Sequence, residues 1–178
     1  MKKLKIPLII LGIIIVVAAA FFLPGIANKP NPPISSFEEC ALAGYPIQES
    51  YPSRCTTAGG QNFTQDIGNE LELTDLITIS NPRPNQRITN PIEIRGAARG
   101  NWFFEASFPI KLVDENGNII AEGHAEATED WMTEEFVPYK AELEFKTKSK
   151  TGTLILEKDN PSGETANDNQ LKVPVRLK

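Results

Sequence analysis

From Leu76 onward, apolar and polar positions alternate in short runs separated by turn-forming residues. Alternation at period two marks half-buried strands. It predicts strands over Leu76–Ser80, Ile92–Ala97, Phe103–Val113, Ile119–Ala127, Tyr139–Phe145, Thr153–Lys158 and Leu171–Leu177. The breaks fall at Asn81-Pro82-Arg83-Pro84-Asn85, Gly100-Asn101, Asn116-Gly117, Val137-Pro138, Ser149 to Gly152 and Asn160-Pro161-Ser162-Gly163. Each is rich in residues that favour turns or interrupt a ladder. The longest pair, Asn101 to Ala127, organises the rest, with Asn116-Gly117 as a hairpin signal. On its first arm Phe104, Ala106, Phe108, Ile110 and Leu112 share one face, and Trp102 falls in line with them. On the second, Ile119, Ala121, Gly123, Ala125 and Ala127 form a small or apolar face. Ile120, Glu122, His124 and Glu126 form a mostly polar one. A hairpin with one oily face needs a facing sheet. About seven short strands without a convincing helix predict an all-β, immunoglobulin-like β-sandwich over residues 76–178. Pro174, inside the last strand, predicts an edge position or a bulge there.

The pattern upstream is different. Ile6 to Leu23 is apolar and uncharged, and as a helix it would span about 27 Å, close to a hydrocarbon core of roughly 30 Å. Lys2, Lys3 and Lys5 precede it, which predicts a cytoplasmic N-terminus and an extracytoplasmic remainder. Residues 1–25 therefore read as a single-pass transmembrane helix in the cell membrane, ended by Pro24-Gly25. A cleaved signal peptide ending at Gly25-Ile26-Ala27 is the alternative, and both readings export the chain. Residues 26–35 form a Pro-rich linker. Residues 36–67 hold the two cysteines and predict a small disulfide-stapled module. In it, Ser36 starts a helical turn that reaches Leu42 and stops at Gly44. In an oxidising compartment Cys40 and Cys55 are expected to pair, which closes a loop worth roughly 3 kcal/mol in the chain-entropy model. Gly68 to Asp75 is a polar, acidic link.

Charge and composition narrow the chemistry. With three lysines at the N-terminus, 15 of the 18 basic residues remain to face 23 acidic ones, a balance of −8. That excludes the basic patches that nucleic acids and anionic lipid surfaces require, so no nucleic-acid partner is expected. The lone histidine, His124, sits between Glu122 and Glu126 on a polar strand face and predicts a solvent-facing side chain rather than a catalytic one. Glu105, Asp130, Glu134 and Glu135 lie near Trp102 and Trp131, a combination that glycosidases use, but strand faces and loops commonly carry acids. Asp159 to Asn169 concentrates oxygen ligands without the spacing of an EF-hand. No phosphate loop or nucleotide fingerprint is present, so neither catalytic residues, metal ligands nor cofactors are predicted. The aromatic clusters remain. Phe104 and Trp102 are expected in the core, whereas Trp131-Met132, in the polar loop TEDWMTEE, is the first candidate for a partner contact, with Trp102 as a further one.

A string of motifs then resembles a known family. It runs through Asn90-Pro91-Ile92, Gly96, Ala98, Trp102-Phe103-Phe104-Glu105-Ala106-Ser107-Phe108-Pro109, Asp114 with Asn116-Gly117, Asp130-Trp131-Met132 and Phe136-Val137-Pro138. It ends at Lys158-Asp159-Asn160-Pro161-Ser162-Gly163 and Val173-Pro174-Val175. This resembles the immunoglobulin-like domain of bacterial spore-germination proteins, the Gmad-type accessory domain often found beside a GerMN domain, and it covers roughly Ile77 to Lys178. The resemblance implies an extracytoplasmic, non-catalytic domain that binds or scaffolds at the cell envelope, with an envelope protein or peptidoglycan as partner. No GerMN segment accompanies it in this chain. Two alternatives stand beside that reading: a protease-inhibitor-like module using the loop Ile47 to Arg54 between the cysteines, and a cell-wall glycan hydrolase.

Overall fold

A computed structural model describes residues 33–177. The predicted transmembrane anchor, residues 1–25, and most of the linker lie outside the described residues. Among the described residues no helix is long and apolar enough to cross a membrane.

The cysteine module builds a helix and three short strands. Helix α1 (Phe37–Leu42) is capped by Ser36, whose hydroxyl accepts the Glu39 N–H at 3.1 Å. Glu39 reaches back to the Ser35 N–H and hydroxyl, which holds its carboxyl below the usual carboxylate range. Strands β1 (Ile47–Gln48), β2 (Arg54–Thr56) and β3 (Asn62–Thr64) form an antiparallel sheet in sequence order. Cys40 and Cys55 are joined by a disulfide and fully buried, which ties α1 to β2. Phe37 completes this small interior.

The main domain contains seven strands: β4 (Ile77–Asn81), β5 (Ile92–Arg99), β6 (Ser107–Asp114), β7 (Ile119–Ala127), β8 (Phe136–Leu143), β9 (Thr151–Glu157) and β10 (Gln170–Arg176). All pairings are antiparallel, in the order β10-β9-β6-β7-β8-β5-β4. The sheet folds over itself as a sandwich. Phe108 of β6 meets Tyr139 of β8 edge-on at 5.0 Å although their strands are not neighbours, and Trp102 and Phe103 pack on the same ring. Ile110, Leu112, Leu154, Leu156, Leu171 and Val173 from one layer are fully buried against Ile77, Ile79 and Ile94 of the other. Every apolar side chain at these alternate positions turns inward, as the period predicts.

The two ends of the sheet nearly meet. After β4 the chain runs beside β10 as a parallel bridge at Arg87 and Arg176, with Asn85 N–H donating to Pro174 O at 2.7 Å and Ile88 N–H to Arg176 O at 2.9 Å. Pro174 indeed lies on an end strand. The predicted hairpin also forms, with a longer turn than Asn-Gly pairs usually make. Gly117 N–H donates to Asp114 O and Asp114 N–H to Asn118 O, leaving three residues in the loop and Gly117 at φ +82°. The Asp114 carboxylate accepts from the Asn118 side chain and from the Asn118 and Asn116 amides, which lowers its pKa. A bulge between Leu112 and Val113 then shifts the register, so Ile119 is exposed and Ile120 packs on the core, the reverse of the predicted faces.

Candidate functional site

Three loops gather at one end of the sandwich: Gly100–Ala106 after β5, Thr128–Glu135 after β7 and Lys158–Asn169 after β9. Their convergence is fixed by backbone bonds. Gly100 N–H donates to Glu135 O at 3.2 Å, and Asp159 N–H to Trp102 O at 3.0 Å. A Cβ at Gly100 would lie 1.9 Å from Thr133 O, so only glycine permits this approach. Arg99 clamps the same region. Its Nε donates to Asp75 O at 3.0 Å and its Nη1 to Glu134 O at 3.1 Å, while the guanidinium lies 4.3 Å over the Phe136 ring.

On this frame the chain makes two exposed apolar points. Phe104 and Ser107 exchange both backbone bonds at 3.0 Å around Glu105 and Ala106, at φ +48° and +64°. Two consecutive left-handed residues define a I′ hairpin turn, normally built from Asn-Gly. Here it carries side chains, and it lifts Phe104 to 41% exposure. In the neighbouring loop the Asp130 carboxylate accepts the Met132 N–H at 3.1 Å, and Met132 is 77% exposed. Trp131 is half-buried and packs one side on the core. Around these points Glu105, Glu129, Asp130, Glu134 and Glu135 are all exposed. The nearest guanidinium, Arg99, is already committed and pairs with Glu135 at 3.6 Å.

Two expectations from the sequence are corrected. Trp102, a possible partner contact, has no exposed surface; it sits in a 3-10 turn (Gly100–Trp102) beneath Phe108 and belongs to the core alone. Phe104, expected in the core, is displaced outward because the first arm of the hairpin begins at Ser107 rather than Phe103, and Phe103 takes the buried place. Period two had put Trp102 and Phe104 in register with Phe108, and the intervening I′ turn breaks that register. A run of three consecutive aromatics was the available signal, since three neighbours cannot share one face of a strand.

The other candidates lie apart. His124 is exposed on β7 between Glu122 and Glu126. Among the described residues, no three histidine, cysteine or acidic side chains converge as a metal site. The long loop instead organises around Asn160, whose side-chain NH₂ donates to Glu164 O at 2.8 Å and to Asp168 Oδ1 at 2.7 Å. A depression of about 480 Å³ beside it is lined by Glu157, Lys158, Asp168, Gln170 and Lys172, none of which is among the acids considered for glycan hydrolysis. The loop between the cysteines is exposed along most of its length and anchored at its centre. The Tyr51 hydroxyl at its centre donates to Glu70 Oε2 and accepts from Arg83 Nη2 at 2.7 Å. Ile47, Gln48, Glu49 and Arg54 of the same loop remain exposed.

The geometry defines a class: an all-β immunoglobulin-like sandwich with a presented loop end. A family model of the immunoglobulin-like domain of bacterial spore germination (Gmad2) matches residues 76–165. The chain belongs to that family. The match opens one residue before β4 and ends inside the last loop of the presented end. Neither a curated protein nor a solved structure matches this chain.

Proposed function

We propose that this chain is a non-catalytic binding and scaffolding protein of the bacterial cell envelope, held by its N-terminal apolar segment and linked through its family to germination. The observation that carries this reading is the exposure of Phe104 and Met132 beside Trp131 on a backbone clamped by Arg99 and Gly100. Contact surfaces commonly centre on such aromatic and methionine anchors within a polar rim. The acidic rim favours a protein surface with basic residues over an anionic polymer. Peptidoglycan, whose sugars aromatic rings can stack on, is the second partner class.

The test is co-sedimentation of the full-length chain with purified sacculi, paired with crosslinking in native membranes. The Phe104→Ala, Met132→Ala double variant should lose at least tenfold in capture of its partner while its melting temperature stays within a few degrees, because both side chains already face solvent. Capture unchanged by the double variant would remove this end of the sandwich from the function.

A further inference from the structure

Trp102 carries the one buried side-chain polar atom among the described residues that finds no partner: its indole Nε1–H makes no hydrogen bond. Buried donors are nearly always paired, so this one calls for an acceptor. The residue forms the floor of a cavity of about 160 Å³, walled by Leu76, Asn101, Lys158, Ala166 and Asn167. At ~30 Å³ per water that is room for about five, more than one bridging water needs. Lys158, Asp168 and Asn169 are shared with the larger depression of about 480 Å³, which lies on the outer face of β9 and β10 and reaches Gln170 and Lys172.

The chemistry of these walls limits the occupant. Glu157 and Asp168 stand with Lys158 and Lys172, so the joint lining has no net charge, and a ligand of either sign meets its like. The carboxamides of Asn101, Asn167 and Gln170 each donate and accept, which suits hydroxyl groups that also do both. The small cavity differs from the outer depression. Leu76 and Ala166 give it an apolar corner beside the indole donor. A group with a methyl at one end and a carbonyl acceptor at the other matches that corner, and an acetamido group is such a group.

We propose that this site binds a neutral glycan bearing N-acetyl groups. One acetamido carbonyl accepts the Trp102 indole N–H, its methyl rests on Leu76 and Ala166, and the sugar hydroxyls lie along the carboxamides of the outer depression. The proposal rests on the wall glycan as the second partner class, and it moves the glycan contact away from Phe104 and Met132. A peptide is the poorer occupant. It offers amide carbonyls to the indole, but its backbone has no hydroxyls for the polar depression outside.

The probe is N,N′,N″-triacetylchitotriose, titrated into the 15N-labelled full-length chain in a sugar-free detergent. The chain has two tryptophans, so the Trp102 indole resonance is the one that persists in Trp131→Phe. It should shift saturably with the trisaccharide. Cellotriose, which has the hydroxyls without the acetamido groups, should leave it unmoved. Asn101→Ala and Lys158→Ala should each weaken the trisaccharide about tenfold, with the melting temperature unchanged. An indole that ignores triacetylchitotriose, or follows cellotriose equally, would overturn the proposal. So would an equal shift with acetyl-Ala-Ala-amide, which assigns the cavity to a peptide, or a nuclear Overhauser contact to water that the trisaccharide leaves intact, which assigns it to ordered water. The Phe104→Ala, Met132→Ala double variant should bind the trisaccharide like the wild type, so this proposal and the loop-end reading fail separately.

Discussion

Glu105 and Ala106 are the residues at which local preference and structure disagree most. Each occupies a left-handed conformation that costs an L-residue about 1 kcal/mol or more, and glycine can adopt it freely. Ala106→Gly should therefore stabilise the protein by about 0.5–1 kcal/mol, read as a raised denaturant midpoint at unchanged slope. No change or a loss would mean that the Ala106 methyl packs usefully enough to offset the backbone term. If Phe104 serves as a contact, the relaxed turn should also hold it less rigidly, weakening capture in the sedimentation assay. This turn explains a failure of the sequence reading. Glutamate and alanine are not turn residues, so nothing in their identity announced a I′ turn, and the apolar alternation ran straight across it. The exposure of Met132 was legible because its loop is polar on both sides and an apolar residue within it stands out. The burial of one side of Trp131 was not, since that depends on a core that only the fold assembles.

Among the elements, all seven strands were legible, and most boundaries moved by two residues or fewer. The instructive exception is β8, which starts at Phe136 where Val137-Pro138 reads as a break. Thr128 N–H donates to Pro138 O, so the residue faces β7, and its missing N–H falls just beyond the last registered pair of β7 and β8. The ladder to β5 loses nothing, and proline is tolerated inside the strand. The cysteine module was legible for a different reason: two cysteines, two prolines and a capping serine in about 30 residues leave few arrangements. Its interior of Phe37, Cys40 and Cys55 is separate from the sandwich core, so the bridge rather than apolar burial holds it. Replacing Cys40 and Cys55 by serine should withdraw roughly 3 kcal/mol from the module and leave the sandwich folded. Amide exchange would check this. Protection should collapse across α1 to β3 and persist in β5, β6 and β9; loss in both regions together would show that the two elements fold as one cooperative unit.

At the scale of the molecule, the module and the sandwich are joined through contacts that no local pattern foretold. Gly68, at φ +71°, runs so close to β10 that a Cβ would stand 1.8 Å from Lys172 O. Beyond it, the buried Glu70 carboxylate takes Arg83 Nη1 at 2.6 Å and the Tyr51 hydroxyl, so one acid from the link holds one residue of the module and one of the sandwich. Partial burial, and then the hydrogen bond and charge of Glu70, push the Tyr51 phenol from 10.0 up to about 12, with Arg83 opposing. A phenol whose folded pKa is raised favours folding through its neutral form. Its contribution is complete below pH 10 and is lost as the pH rises through about 12. The fall in stability above pH 10 should thus be steeper in the wild type than in Tyr51→Phe, and absorbance at the phenolate band should show the variant lacking one late ionisation. Gly68→Ala attacks the same joint without touching charge. The clash is with backbone on both sides, so it cannot be relieved by a rotamer change, and the link should lift from β10 at a cost of a few kcal/mol. In 15N relaxation the module of G68A should then tumble faster than the sandwich, and Tyr51 should titrate nearer its ordinary value. A variant that keeps a single correlation time and the late Tyr51 ionisation would show that the Tyr51–Glu70–Arg83 contact holds the two parts together on its own.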